Sequence, residues 1–452
     1  MAAITVPHRR PRLPRSLLSK IPYGLLAAAA LISAVGALSG APTAEPGPVA
    51  AAIEAPFVDV GIMPVEDAVD FWRARVDERP ADYASRTRLA TTIVALAKET
   101  GSLTLYDEAE QVLRESLALN PIDEATLLAL GSVRAANHDF AGAIELATSV
   151  LERKPGSQAA QVAIADANFE LGNYELASRQ LEALVLELPE GAGVDSRLAK
   201  RAAVEGRIDD AINLSAGALL AASDLDLRAS EAAFYRFQLG HFLHQAGRAD
   251  QALEVLDAGL SIDPTHLASL EAKAHVLVSL GRLDAAAATY EQLIERGPAA
   301  DLHGELAKIY RALGRDRAAE AQVAEGLRLG REQISAFPAE RRHLASFFAE
   351  FEPATALDLA KADFATRKDV GAYDTLAWAH YRNGQYEQAA RYVDGALAQG
   401  TRDATLLYHA GMIELAVGDT DEGAQHLRDA LEINPRFDLV HAPRAIAALR
   451  GL

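Results

Sequence analysis

Four side chains in this sequence have the types and spacing to hold a metal ion. His241 and His244 stand one helical turn apart, Glu271 and His275 stand one turn apart further on, and His241 and His275 are separated by 34 residues. Imidazole nitrogens and carboxylate oxygens are the donors that Zn, Ni or Cu accept. The competing reading leaves the same histidines without metal, because packed neighbouring helices lie roughly 10 Å apart and convergence on one ion is strained. Other chemistry has no foothold. HExxH, GxSxG, Walker-loop and dinucleotide patterns are all missing, and the chain has no cysteine, hence no disulfide, thiolate zinc site or thiol nucleophile. The expectation is a protein that is not an enzyme and carries no cofactor.

Charge narrows the partners. The 452 residues carry 44 Lys plus Arg against 63 Asp plus Glu, a formal charge of -19. Five of the cations (Arg9, Arg10, Arg12, Arg15 and Lys20) fall in the first forty residues, which hold no acid, so the rest is more acidic still. Such a chain is repelled by phosphate backbones, and nucleic acid is excluded as a partner. Those five cations precede an apolar run from about Ile21 to Ala41, the pattern of an export signal or of a membrane anchor about one bilayer long. Basic residues before such a segment stay inside. Residues 1–41 are therefore read as a signal peptide or N-terminal anchor and 42–63 as a Pro/Ala-rich linker. The remainder is expected outside the cytoplasm, periplasmic or held at the inner membrane, touching membrane only through the N-terminal segment.

What positions the candidate residues is a repeat. A small residue recurs at Ala68, Ala109, Ala143, Ala177, Ala211, Ala252, Ala286, Ala319, Ala356, Ala389 and Gly423, mostly in steps of 33 or 34. Glycine stands five positions earlier in seven units: Gly172, Gly206, Gly247, Gly281, Gly314, Gly384 and Gly418. Proline stands twelve positions later in most, from Pro80 and Pro121 to Pro435. Glycine in the left-handed region turns one helix into the next, and proline stops the second. Each unit is thus two helices of about a dozen residues. Departures are expected around Phe351 and Pro353, where the glycine turn is missing, and at the 41-residue steps near Gly101 and Ser223.

These features resemble the tetratricopeptide repeat family, whose unit has small residues at its eighth and twentieth positions and a closing proline. Ala165, Ala274, Ala377 and Gly411 occupy the eighth position here, and the resemblance runs from about Val65 to Pro435. It implies an all-α, right-handed superhelical solenoid of stacked helix-turn-helix units. Residues 64–435 would form about ten units after an incomplete first one, and 436–452 a short capping helix.

The resemblance also implies a function on the concave surface, binding a peptide or partner helix as a scaffold; together with the export reading this gives the expectation of a role in assembly of an envelope complex. Unit positions two, five, nine and twelve of the first helices would face that groove. They project Phe234, Phe237, His241 and His244, then Glu271 and His275, then Lys308 and Arg311. Arg341 and Phe348 follow, then Asp374, Trp378 and Tyr381, then Tyr408 and Met412. Aromatic and cationic side chains of this sort are the ones protein-binding hot spots use.

Overall fold

Helices begin here where a short polar side chain can satisfy an amide that has no intrahelical partner. Asp82 accepts from the Ser85 amide, Asp123 from Thr126, Ser157 from Ala160, Asp369 from Ala372 and Asp403 from Leu406. First helices end in the opposite way. All seven turn glycines that the repeat pattern singles out adopt positive φ, between 70° and 98°. In the unit of Ala143, which has no glycine there, His138 takes the same place with φ 58°, which makes it the one non-glycine residue of positive φ among the described residues.

The computed structural model describes residues 63–188, 191–223, 227–297, 299–336 and 338–452. The segment read as signal or anchor, 1–41, lies outside them, as does the linker apart from its last residue. Among the described residues there are helices and no strands, and no helix is long and apolar enough to cross a membrane.

Helix α1 (Val65–Glu78) is followed by ten antiparallel pairs. The first four are α2 (Tyr83–Thr100) with α3 (Thr104–Leu119), α4 (Glu124–Ala136) with α5 (Phe140–Leu151), α6 (Gln158–Glu170) with α7 (Tyr174–Glu187), and α8 (Ala192–Val204) with α9 (Ile208–Ser223). Next come α10 (Ala229–Gln245) with α11 (Ala249–Ile262), α12 (Leu267–Ser279) with α13 (Leu283–Arg296), and α14 (Ala300–Ala312) with α15 (Asp316–Ala336). The last are α16 (Arg341–Phe351) with α17 (Pro353–Thr366), α18 (Val370–Arg382) with α19 (Tyr386–Leu397), and α20 (Ala404–Val417) with α21 (Thr420–Ile433). Helix α22 (His441–Arg450) closes the chain.

Small residues sit where the helices of a pair cross. Ala211, Ala252, Ala286, Ala319, Ala356 and Ala389 are fully buried, and a Cβ on Gly411 would stand 2.8 Å from the Gly423 carbonyl. Where the glycine turn is missing, Glu352 alone joins α16 to α17, and Pro353 opens α17 at its first turn, where a missing N–H costs nothing. The preceding α15 is lengthened to 21 residues. Its Gly326 and Gly330 leave room for the rings of Phe347 and Phe348, 2.9 Å from where a Cβ would be.

The array curves tightly enough to meet itself. The turn glycines Gly172, Gly206 and Gly247 lie against backbone at Lys368, Gly400 and Ile433, in each case five and a half pairs further along. The Lys368 amide donates to the Leu171 carbonyl at 2.9 Å, the Val370 amide to the Tyr174 hydroxyl at 3.0 Å, and Asn434 Nδ2 to Ser279 Oγ at 2.9 Å. One superhelical turn therefore takes about five and a half pairs, and the second turn is seated on the first. No side chain fits between them at these glycines.

Candidate partner-binding cleft

First helices of successive pairs line the inside of the superhelix. Several of their inward side chains pack on neighbouring first helices, and the tight curvature shuts that part of the inner face. Phe234, Phe237 and Phe348, projected to face the groove, are instead core residues with exposures of 7%, 3% and 0%. A partner does not reach them, because a superhelix that closes in five and a half pairs brings its inner side chains into contact with each other.

What stays open is a cleft of about 290 Å³ between α12, α14, α16, α18, α20 and the residues leading into α22. Of the projected groove residues, His275, Lys308, Asp374 and Trp378 line it. Trp378 is held by stacking on Tyr381 (centroids 4.7 Å apart, 12°) and on His409 (4.1 Å, 16°). His409 Nδ1 lies 2.9 Å from Asp374 Oδ1, and a carboxylate can only accept, so Nδ1 carries the proton. Tyr408 is buried beneath, and Met412 is half-buried. Arg341 is partly buried at the start of α16, whereas Arg311 is exposed.

Charge in the cleft is paired. Lys308 Nζ donates to Glu305 Oε1 at 2.7 Å and to Asp438 Oδ2 at 2.9 Å. Burial works against the ammonium, but Asp438 and Glu305 outweigh it and hold Lys308 above the ordinary lysine value. Asp438 is held below the ordinary carboxylate value, burial opposing and Lys308 and His441 prevailing. Burial likewise pushes Glu350 up, but His441 and Arg382 bring it down to about 2. Glu350, Asp438, His409 and His441 are the residues the repeat projection missed. His409 falls one position beyond the projected stripe, and Asp438 and His441 lie in the segment assigned to capping.

The metal reading fails on geometry. Among the described residues no group of three or more His, Asp or Glu side chains could hold an ion. His244 Nε2 bonds Ser279 Oγ at 2.9 Å, and His275 faces the Tyr290 hydroxyl at 3.3 Å. Glu271 lines a separate cavity of about 380 Å³ beside Gly101 and Tyr106. Burial, with Asp301, Glu305 and Glu340 nearby, raises the Glu271 carboxyl well above its ordinary value. Burial pushes His241 down to about 4 and His244 to about 3, helped in both by the charge of His275. His241, His244, His275 and Glu271 are therefore split between neighbouring first helices, with His275 on the cleft and Glu271 on the separate cavity.

Two tetratricopeptide repeat family models match, one over residues 134–203 and 243–304, the other over 95–158 and 375–436, together just over half of the chain. The chain belongs to the tetratricopeptide repeat family. Comparison with curated proteins returns no match. Among solved structures, the array is similar to the human IFIT1 dimer with PPP-AAAA at 16% identity and a TM-score of 0.43, covering 84% of this chain and 96% of that one. Yeast Tom70 is similar at 13% identity and a TM-score of 0.33, with 89% and 96% covered. The APC/C hetero-tetramer Cut9-Hcn1 gives 14% identity and a TM-score of 0.31, with 85% and 93% covered. Tetratricopeptide repeats of this kind mark a protein–protein interaction scaffold.

Proposed function

We propose that this tetratricopeptide array is a non-catalytic adaptor that holds a peptide or partner helix in its concave cleft. Exported or anchored through residues 1–41, it works outside the cytoplasm in assembly of an envelope complex. The observation that carries the binding reading is the cleft itself. Five first helices converge on it, its wall mixes stacked aromatic rings with paired charges, and its rim offers exposed Ser346 to a partner. Aromatic anchors within a polar rim are how protein-binding surfaces divide affinity from specificity.

The binding test is crosslinked capture from envelope fractions by wild type and by a Ser346→Arg variant, whose long side chain enters the cleft from its rim. The reading expects a partner captured by wild type and lost from the variant. Equal capture by both overturns the cleft assignment. For the export reading, a reporter fused after residue 62 that is active only outside the cytoplasm is expected to be active, and an inactive, stable fusion overturns it.

A further inference from the structure

Residues expected to hold a partner already hold a stretch of this chain. After α21 the segment Phe437–His441 crosses the concave face. Asp438 reaches back to Lys308 on α14, and His441 reaches Glu350 on α16 with Nε2 3.4 Å from Oε1. The His441 ring stacks on Tyr408 (4.6 Å, 16°) and meets the edge of Trp378 at 5.6 Å, and Phe437 packs on Tyr408 at 5.7 Å. Asp438 also accepts from the Val440 and His441 amides, at 2.6 and 2.7 Å, and so fixes the bend that opens α22.

An end cap needs to cover only the last pair, and α22 does so with Ala442 and Ala445 buried. The segment Phe437–His441 does something else, since its ion pairs to other helices lie on α14 and α16, three and two pairs back. Buried ion pairs are poor stabilisers compared with apolar packing, so capping alone gives no reason for one here. The groove is also built to survive losing the segment. Lys308 keeps Glu305 when Asp438 leaves, and Glu350 keeps its pair with Arg382 when His441 leaves. Withdrawal strands no charge in the cleft, whereas in an obligate contact it would.

We propose that Phe437–His441 is a tethered stand-in for the partner, seated in the groove in cis. The partner segment that displaces it carries the same chemistry: an aromatic residue, an acidic side chain for Lys308, and an imidazole or aromatic ring three residues later for Tyr408 and Trp378. This rests on the cleft-binding reading above. Lys308, Trp378 and Tyr408 are then peptide-binding residues whose first ligand is Phe437–His441 of the same chain.

The test uses full-length protein and a fluorescein-labelled peptide, FDLVHAPRAIAALRGL, supplied in trans. Asp438→Asn keeps an oxygen to cap the Val440 and His441 amides and removes the charge facing Lys308. In wild type the tethered copy, at an effective concentration on the order of millimolar, competes with the peptide. Asp438→Asn is expected to tighten the apparent affinity for the peptide by about tenfold or more, and adding Lys308→Ala to erase the gain. His441→Ala is a second release variant, expected to act in the same direction, and helical circular dichroism shows which variants are folded. Peptide binding that is equal, or absent, in wild type and in the folded release variants overturns the proposal. The two readings separate in the capture experiment. A partner blocked by Ser346→Arg but indifferent to release and to excess peptide leaves the cleft reading standing and sinks the stand-in. Peptide binding gained on release, with no partner captured, does the reverse.

Discussion

Replacing Gly172 by alanine tests whether the second superhelical turn rests on the first. Gly172 has φ +83°, and a left-handed residue with a Cβ costs about 1 kcal/mol anywhere. At this position the Cβ would also stand inside 3.0 Å of three backbone atoms, the Lys368 carbon and oxygen and the Asp369 nitrogen, where 3.4 Å is ordinary contact. Backbone cannot swing aside as a side chain can, so the turns must part by the better part of an ångström, which by the usual scale of overpacking adds about 1–3 kcal/mol. Gly384 supplies the control, with φ +70° and nothing within 4 Å of its Cβ position, because no later turn covers it. Gly384→Ala is thus expected to cost about 1 kcal/mol and Gly172→Ala about 2–4 kcal/mol. Repeat arrays need not unfold in one step, so urea midpoints are best read together with native-state hydrogen exchange. Parting the turns breaks the Lys368 to Leu171 and Val370 to Tyr174 hydrogen bonds, and the Lys368 and Val370 amides should exchange faster only in Gly172→Ala. Equal costs for the two variants, with those amides still protected in both, would refute the closed superhelix.

Four further outcomes follow from charge and backbone strain. His244 is pushed down to about 3 from 6.5, so the unfolded chain takes up the proton first as pH falls. The stability this histidine confers is complete above about pH 6.5 and is lost below it, while buried Glu271 and Glu340, whose carboxyls are raised, act in the opposite sense. The difference in urea stability between wild type and His244→Gln should therefore slope with pH between 6 and 4, by up to about 1.4 kcal/mol per pH unit, and a flat difference counts against a neutral buried ring. Asp363 lies between Arg342 (3.1 Å) and Arg367 (2.9 Å), and its removal leaves two buried cations to share Asp369 alone, so Asp363→Ala should cost about 3 kcal/mol in urea unfolding. Glu325→Ala, at an exposed pair with Arg328, should leave the midpoint where it is. At the turn where His138 replaces glycine, both Gly and Ala forfeit its stacking on Phe140, yet only Gly relieves φ 58°; thermal melts should rank His138→Gly above His138→Ala by about 1 kcal/mol.

Periodic features were legible because each has a local cause. Seven glycines in one register predict seven left-handed turns, and the structure has them, since the turn needs a conformation that other residues enter only at a cost. Alanines such as Ala286 and Ala389 are buried at helix crossings for an equally local reason, the closeness of two backbones. Groove positions were harder to read. Whether a projected inner position faces a partner or a neighbouring helix depends on curvature, and that is a sum of small rotations that no single unit displays. Phe234, Phe237 and Phe348 went into the core for this reason, while Lys308, Asp374 and Trp378 reached the cleft. The histidine and glutamate set failed likewise: equivalent positions in adjacent units place side chains in parallel rather than on one point, and His244 found Ser279 instead of a metal.

Contacts between superhelical turns were not legible at all, and they are what gives the site its form. Residues about five pairs apart share no pattern in sequence, yet Gly247 meets Ile433 and Ser279 meets Asn434. These contacts anchor the end of α21 against the first turn, and the chain that emerges there is aimed along the concave face. Asp438 lies four residues beyond Asn434, near enough to Lys308 for a direct ion pair. The same closure that buries the inner aromatic stripe therefore delivers a short acidic segment to the only strongly held lysine of the cleft wall. A superhelix of looser pitch would leave the groove open and its C-terminal helix a plain cap. With this pitch, access to the groove depends on the segment's hold, and that hold is a charge pair with a built-in substitute in Glu305.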